Sequence, residues 1–137
     1  MFDFKVKKLT NIIFDHAELV DYYNTIVNKY ENLKWTMNSF TDAKTHQVDN
    51  IYSWALQTNL KDINKPCPPY HIKHDNEVDP NSDFQTHTKL GFNFGKKVLD
   101  AFPNIRQTVI VGHPPKTKID LHIDNNEFVK VHIPIIS

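Results

Sequence analysis

The pair His122 and Asp124 is the part of the sequence with the clearest potential for chemistry. Within residues 118–124, apolar and polar residues alternate, which is the pattern of a half-buried β-strand. Alternate side chains of a strand point to the same face, so an imidazole and a carboxylate lie side by side. They provide two of the three ligands of a 2-His-1-carboxylate iron site. We therefore predict that both are metal ligands; the alternative is a solvent-facing polar stripe.

The spacing of the two residues is not sufficient by itself. His16 and Glu18 have the same spacing and an equivalent carboxylate, but they fall in a predicted helix, where residues two apart do not face each other. The prediction for His122 and Asp124 therefore depends on strand geometry.

A second polar face follows at Lys130 and His132. Residues 128–135 alternate again, with valine and isoleucine on one side and these two residues on the other. A lysine and a histidine are costly to bury among apolar side chains without a partner. An anionic ligand between the two polar faces would provide that partner.

The run from Gly112 through Pro114 and Pro115, then His122 and Asp124, then Lys130 and His132 resembles the aspartyl/asparaginyl/proline β-hydroxylase family. In that pattern a proline turn precedes a metal histidine, and a strand with a basic-x-His motif follows. The family belongs to the Fe(II)/2-oxoglutarate-dependent dioxygenases.

The resemblance implies that His122 binds Fe(II) and that Lys130 and His132 contact the cosubstrate 2-oxoglutarate. The best-known members have glycine at the position of Asp124, so the carboxylate role comes from the wider superfamily. Lysine at position 130 would act as a point charge, where arginine would act as a fork. The implied reaction is hydroxylation of an Asp, Asn or Pro side chain, free or in a peptide.

The implied fold is α+β, mainly β with N-terminal helices, around a double-stranded β-helix (jelly-roll, cupin-like) core. We expect one hydroxylase-like domain over 1–137, with a helical and loop-rich part at about 1–104 and barrel strands at about 105–137. The family carries its third metal ligand, a histidine, on a later strand, and we expect those strands to be missing from the 137 residues.

Other residues and other functions remain open as alternatives. The third ligand could be one of four upstream histidines, although none matches the family position: His71, His74, His87 and His113. His71 and His74 have a zinc-compatible spacing, but the single Cys67 does not complete a structural zinc site. Alternatively, the chain is a catalytically incomplete binding module, or one half of an oxygenase completed by a second chain.

Composition excludes several classes of protein. Sixteen basic and sixteen acidic side chains balance, so we expect no nucleic-acid partner, because phosphate binding requires a basic surface. One cysteine permits no internal disulfide. No apolar stretch predicts a membrane span, and we expect a cytoplasmic protein that acts on a small molecule or peptide.

The remaining elements are predicted from periodicity. Helical spacing begins at an Asp15 cap and continues to about Asn32, and a second helix is predicted at 83–102, ending at Pro103. Residues 61–83 are predicted to form a long loop, for which a lid is the functional hypothesis. Trp35, Trp54 and Phe84 are predicted to lie in the core. Strands are predicted at 2–6, 51–56, 105–111, 118–124 and 128–136.

Overall fold

The protein combines two α-helices with two small antiparallel sheets. This computed structural model describes residues 14–36, 52–68, 76–79, 83–112 and 133. The predicted strands at 2–6 and 118–124 lie outside those residues, and of 128–136 only Ile133 is described. The mixed α+β class is confirmed in the described part of the chain.

Helix α1 spans His16–Lys29. The Asp15 side chain caps it, accepting hydrogen bonds from the backbone N–H groups of Ala17 at 2.8 Å and Glu18 at 3.2 Å. An aspartate at this position satisfies N–H groups that have no partner within the helix. The predicted cap is therefore confirmed, while the helix ends at Lys29 and a short 3₁₀ helix follows at Glu31–Leu33.

Helix α2 spans only Asn93–Ala101, so the predicted helix over 83–102 is wrong in its first ten residues. Thr86–His87 instead forms a strand that pairs with Gln57–Thr58. Phe84 has a φ of 53°, which lies outside the right-handed helical region. The end of the helix, two residues before Pro103, agrees with the prediction.

Three strands form the larger sheet: β1 (Trp35–Thr36), β2 (Tyr52–Ala55) and β5 (Val109–Gly112), in the order β1-β2-β5. Strands β3 (Gln57–Thr58) and β4 (Thr86–His87) form the smaller sheet. In the described ranges four of these strands lie between α1 and α2, where the sequence predicts only the strand at 51–56.

The core is organised in two clusters of buried residues. The first contains the buried faces of both helices together with Trp54 and Leu56, and the second contains Ala55, Leu60, Cys67 and Phe84. Trp54 and Phe84 are buried as predicted, whereas Trp35 is only half-buried. Successive β2 residues Trp54 and Ala55 face opposite clusters, so β2 lies between the two.

The predicted loop over 61–83 agrees with its described portions. Residues 61–68 and 76–79 contain no helix or strand, and one isolated bridge joins Leu60 to Val78. Among the helices in the described ranges, neither is long and apolar enough to cross a membrane.

Candidate functional site

The predicted iron and cosubstrate residues His122, Asp124, Lys130 and His132 lie outside the residues that the structure describes, as do three of the alternative ligands: His71, His74 and His113. Described residues flank this motif on both sides. Gly112 ends β5 immediately before it, and Ile133 directly follows His132.

Strand β5, which leads into the motif, is held by its pairing with β2. Trp54 pairs with Ile110 and Tyr52 with Gly112. The Tyr52 ring occupies the space in which a Cβ at position 112 would lie. A larger residue at position 112 would require the Tyr52 ring to move.

Ile133 is half-buried and packs against the first core cluster, as Ile110 does. The sequence assigned Ile133 to the apolar face of 128–136, and its contact with the core agrees with that assignment. Ile133 itself is not part of a strand in the described residues.

A buried amide holds the segment before β5. Gln57 is 3% exposed, and its amide nitrogen donates to the Ile105 carbonyl at 3.0 Å. Its amide oxygen accepts from the backbone N–H of Thr108 at 3.1 Å and from the Thr108 hydroxyl at 2.8 Å. Between these positions Gln107 has a φ of 58° and donates its N–H to the carbonyl of Phe84.

Sequence reasoning missed Gln57. The signal was present, because it is a polar amide within a run of buried strand residues, and a buried amide requires hydrogen-bond partners. Its three hydrogen bonds fix a backbone that includes the left-handed Gln107 conformation.

Two further polar groups are buried on the described sheet and loop. The Ser53 hydroxyl has no hydrogen-bond partner in the described part of the protein. The Cys67 thiol lies 3.8 Å from the Asn59 side-chain oxygen and 3.6 Å from the Pro68 carbonyl. Burial raises the pKa of the Cys67 thiol. Because the thiolate is the reactive form, Cys67 does not fit the role of a nucleophile.

The described histidines do not form a metal site. His16 is the first residue of α1 and is exposed. The nearby Glu18 carboxylate forms an ion pair with the Lys97 ammonium, with a nitrogen–oxygen distance of 2.6 Å. His87 is exposed on β4 and not at a helix start as predicted. Across the described ranges, no group of three His, Cys, Asp or Glu side chains could hold a metal ion.

Comparison with known proteins finds no relative of this chain. No protein-family model, curated protein or solved structure matches it.

Proposed function

We propose that this chain is an Fe(II)/2-oxoglutarate-dependent dioxygenase of the aspartyl/asparaginyl β-hydroxylase type, with its motif on a double-stranded β-helix. The observation that carries the proposal is the run 112–135, where a proline turn, His122-x-Asp124 and Lys130-x-His132 follow one another on two alternating segments. Ile133 packs against the first core cluster, which supports a buried side formed by the valine and isoleucine residues of 128–136.

The donor set fits Fe(II). An imidazole nitrogen from His122 and a carboxylate oxygen from Asp124 are two ligands of a facial triad, which leaves positions open for cosubstrate and oxygen. When bound, iron and 2-oxoglutarate supply the oxidising chemistry. The protein binds and orients the substrate and excludes water from the reacting centre.

Lys130 and His132 have a separate role in the proposal. The Lys130 ammonium neutralises a cosubstrate carboxylate, and His132 donates a hydrogen bond to it. A charge-assisted hydrogen bond is about twice as strong as a neutral one. Both residues follow His122 at about the spacing of the family's cosubstrate contacts.

The proposed substrate is an Asp, Asn or Pro side chain, free or within a peptide. This class comes from the family resemblance. The third metal ligand is not assigned to any residue described by the structure.

Metal binding tests the proposal without depending on turnover. Titration with Mn(II), followed by its electron paramagnetic resonance signal, should show one site in the wild-type chain and loss of that site in His122→Ala. His16→Ala is the matched control, because His16 has the same His-x-carboxylate spacing but lies on helix α1. Equal Mn(II) binding by wild type and His122→Ala would refute the assignment of His122.

Binding of 2-oxoglutarate provides a second test. Under anaerobic conditions, Fe(II) and 2-oxoglutarate should produce a visible charge-transfer band in the wild-type chain. Lys130→Met should weaken 2-oxoglutarate binding by roughly tenfold or more, as expected for loss of a charged hydrogen bond, and Lys130→Arg should restore much of it. In air and ascorbate, succinate release that persists in His122→Ala would also contradict the proposal.

A binding module is the second candidate. Among the described strands, β5 pairs only with β2, and an unpaired strand edge can pair with another chain. Light scattering with and without Mn(II) separates the candidates. A monomer that binds no metal supports the module, and a metal-dependent dimer supports an oxygenase completed by a second chain.

A further inference from the structure

The aromatic residues at the start of the larger sheet surround a cation. The Lys34 ammonium lies 5.3 Å from the centre of the Tyr52 ring and 5.6 Å from that of the Trp54 ring. Both distances are within the range of about 6 Å over which a cation is attracted to an aromatic face. The two rings meet at 82°, with centroids 5.5 Å apart. They therefore form two walls of a corner.

The third side of this corner is acidic. The Glu31 carboxylate accepts from the Lys34 ammonium at 3.0 Å. Its position is set by the 3₁₀ helix Glu31–Leu33, which ends with the Lys34 backbone N–H donating to the Glu31 carbonyl at 3.1 Å. Two ring faces and one carboxylate are the groups that recognise alkylammonium ions.

The walls of the corner are fixed in place. The Trp54 indole N–H donates to the Tyr30 carbonyl at 3.0 Å, and Trp54 is 1% exposed. Tyr23 stands perpendicular to Trp54 with ring centroids 6.4 Å apart, and its hydroxyl is hydrogen-bonded to that of Tyr52. The rings are thus preorganised, which reduces the entropic cost of binding a ligand between them.

The occupant, in contrast, can be displaced. The Lys34 side chain is 28% exposed. A lysine side chain has a flexible four-carbon stem and a strongly hydrated primary ammonium. When Lys34 turns towards solvent, the position of its ammonium beside the Tyr52 and Trp54 rings becomes available to another cation. A methylated ammonium is less strongly hydrated and gains more from contact with the same faces.

We propose that Tyr52, Trp54 and Glu31 form a binding site for a methylated alkylammonium group, which we name the aromatic corner, and that Lys34 is its resident competitor. The site rests on α1, the 3₁₀ helix and β2. It does not depend on the proposed iron site.

Choline is the probe, and its neutral carbon isostere 3,3-dimethyl-1-butanol is the control ligand. We expect Lys34→Ala to bind choline, with the Trp54 indole N–H resonance shifting to saturation at constant ionic strength. The neutral isostere should bind at least about fivefold more weakly, because it lacks the charge that the rings and Glu31 attract. Wild type should bind choline more weakly than Lys34→Ala, because a tethered Lys34 competes at high effective concentration.

Variants of the walls complete the test. Tyr52→Leu in the Lys34→Ala background should weaken choline binding by about three- to tenfold, the effect of one aromatic face. Lys29→Ala, which removes an exposed lysine at the end of α1, should behave as wild type. A folded Lys34→Ala that binds neither ligand, or both equally, refutes the site and leaves Lys34 with a structural role only.

Wild type gives an independent test if Lys34→Ala does not fold. Ring currents from two aromatic faces should shift the Lys34 methylene protons next to the ammonium away from those of the exposed lysines. Addition of choline should move that resonance back towards the others as Lys34 is displaced. A Lys34 resonance that does not move at saturating choline contradicts the proposal.

Discussion

Gly95 of α2 lies directly against the Tyr22 side chain of α1. A Cβ at Gly95 would overlap the Tyr22 hydroxyl and would lie 2.6 Å from the Leu90 carbonyl oxygen. These two atoms form a buried hydrogen bond with each other at 2.6 Å, with the tyrosine as donor. The substitution Gly95→Ala therefore inserts a methyl group into an existing hydrogen bond between the helix and the loop that precedes α2.

The effect on stability follows from three contributions. Overpacking typically costs about 1 to 3 kcal/mol, and disturbing a buried hydrogen bond costs about 1 to 3 kcal/mol. Alanine returns about 1 kcal/mol, because it is a better helix former than glycine. We expect Gly95→Ala to lower the free energy of unfolding by about 2 kcal/mol or more, which corresponds to a fall of roughly 6 to 10 °C in Tm.

Urea unfolding followed by tryptophan fluorescence measures this change. Gly91→Ala is the matched control, because a Cβ there would make an ordinary contact of 3.4 Å with Leu99. In a Tyr22→Phe background, which lacks the hydroxyl, Gly95→Ala should cost less than in wild type, and the difference is the coupling energy. Equal stability of Gly95→Ala and Gly91→Ala would falsify the proposed close approach.

Four other predictions test the described structure. Gln57→Leu should lower the unfolding free energy by about 2 to 3 kcal/mol in urea titrations, because the polar groups of 105–108 that it binds lose their partners. Asp15→Ala should cost about 1 kcal/mol and reduce helical circular dichroism, through loss of the α1 cap. Burial, and after it hydrogen bonding to Tyr52, raises the pKa of Tyr23 from 10.0 to about 12. The neutral phenol therefore stabilises the native state below pH 10, and this contribution should disappear as the pH rises towards 12. Tyr23→Phe should make the unfolding free energy less dependent on pH in the alkaline range. Cys67 should react with a disulfide reagent only after unfolding, because burial both shields the thiol and raises its pKa.

Local chemistry predicted the elements that depend on local interactions. The Asp15 cap was identifiable because an aspartate before an apolar periodic run satisfies the first N–H groups of a helix. The end of α2 was identifiable because Pro103 cannot continue a helix. Strand β2 followed from its β-branched and aromatic neighbours over 51–56.

The error at 83–92 has a non-local cause. The apolar positions Phe84 and Gly91 fit a helical period, but Thr88 instead donates its hydroxyl to the Ala55 carbonyl at 2.7 Å and accepts from the Leu90 N–H. The bond to Ala55, together with the pairing of β4 with β3, joins the segment to residues about thirty positions earlier in the chain. No window of neighbouring residues contains that information.

The candidate site was predicted from strand alternation, and one described residue bears on that prediction. Ile133 packs against the first core cluster, as expected if valine and isoleucine of 128–136 form the buried side. Replacing Ile133 by Asp should then destabilise the fold through a buried charge, whereas His132→Ala should leave stability unchanged and weaken 2-oxoglutarate binding.

The aromatic corner could not have been inferred from spacing. Tyr52 and Trp54 are two apart on a strand, and Glu31 and Lys34 are three apart on a helical turn, so each pair alone has an ordinary structural interpretation. Their combination arises because the Trp54 indole binds the Tyr30 carbonyl, which brings the 3₁₀ helix against the face of β2. Breaking that hydrogen bond with Trp54→Phe should therefore weaken choline binding to Lys34→Ala, even though an aromatic ring remains at position 54.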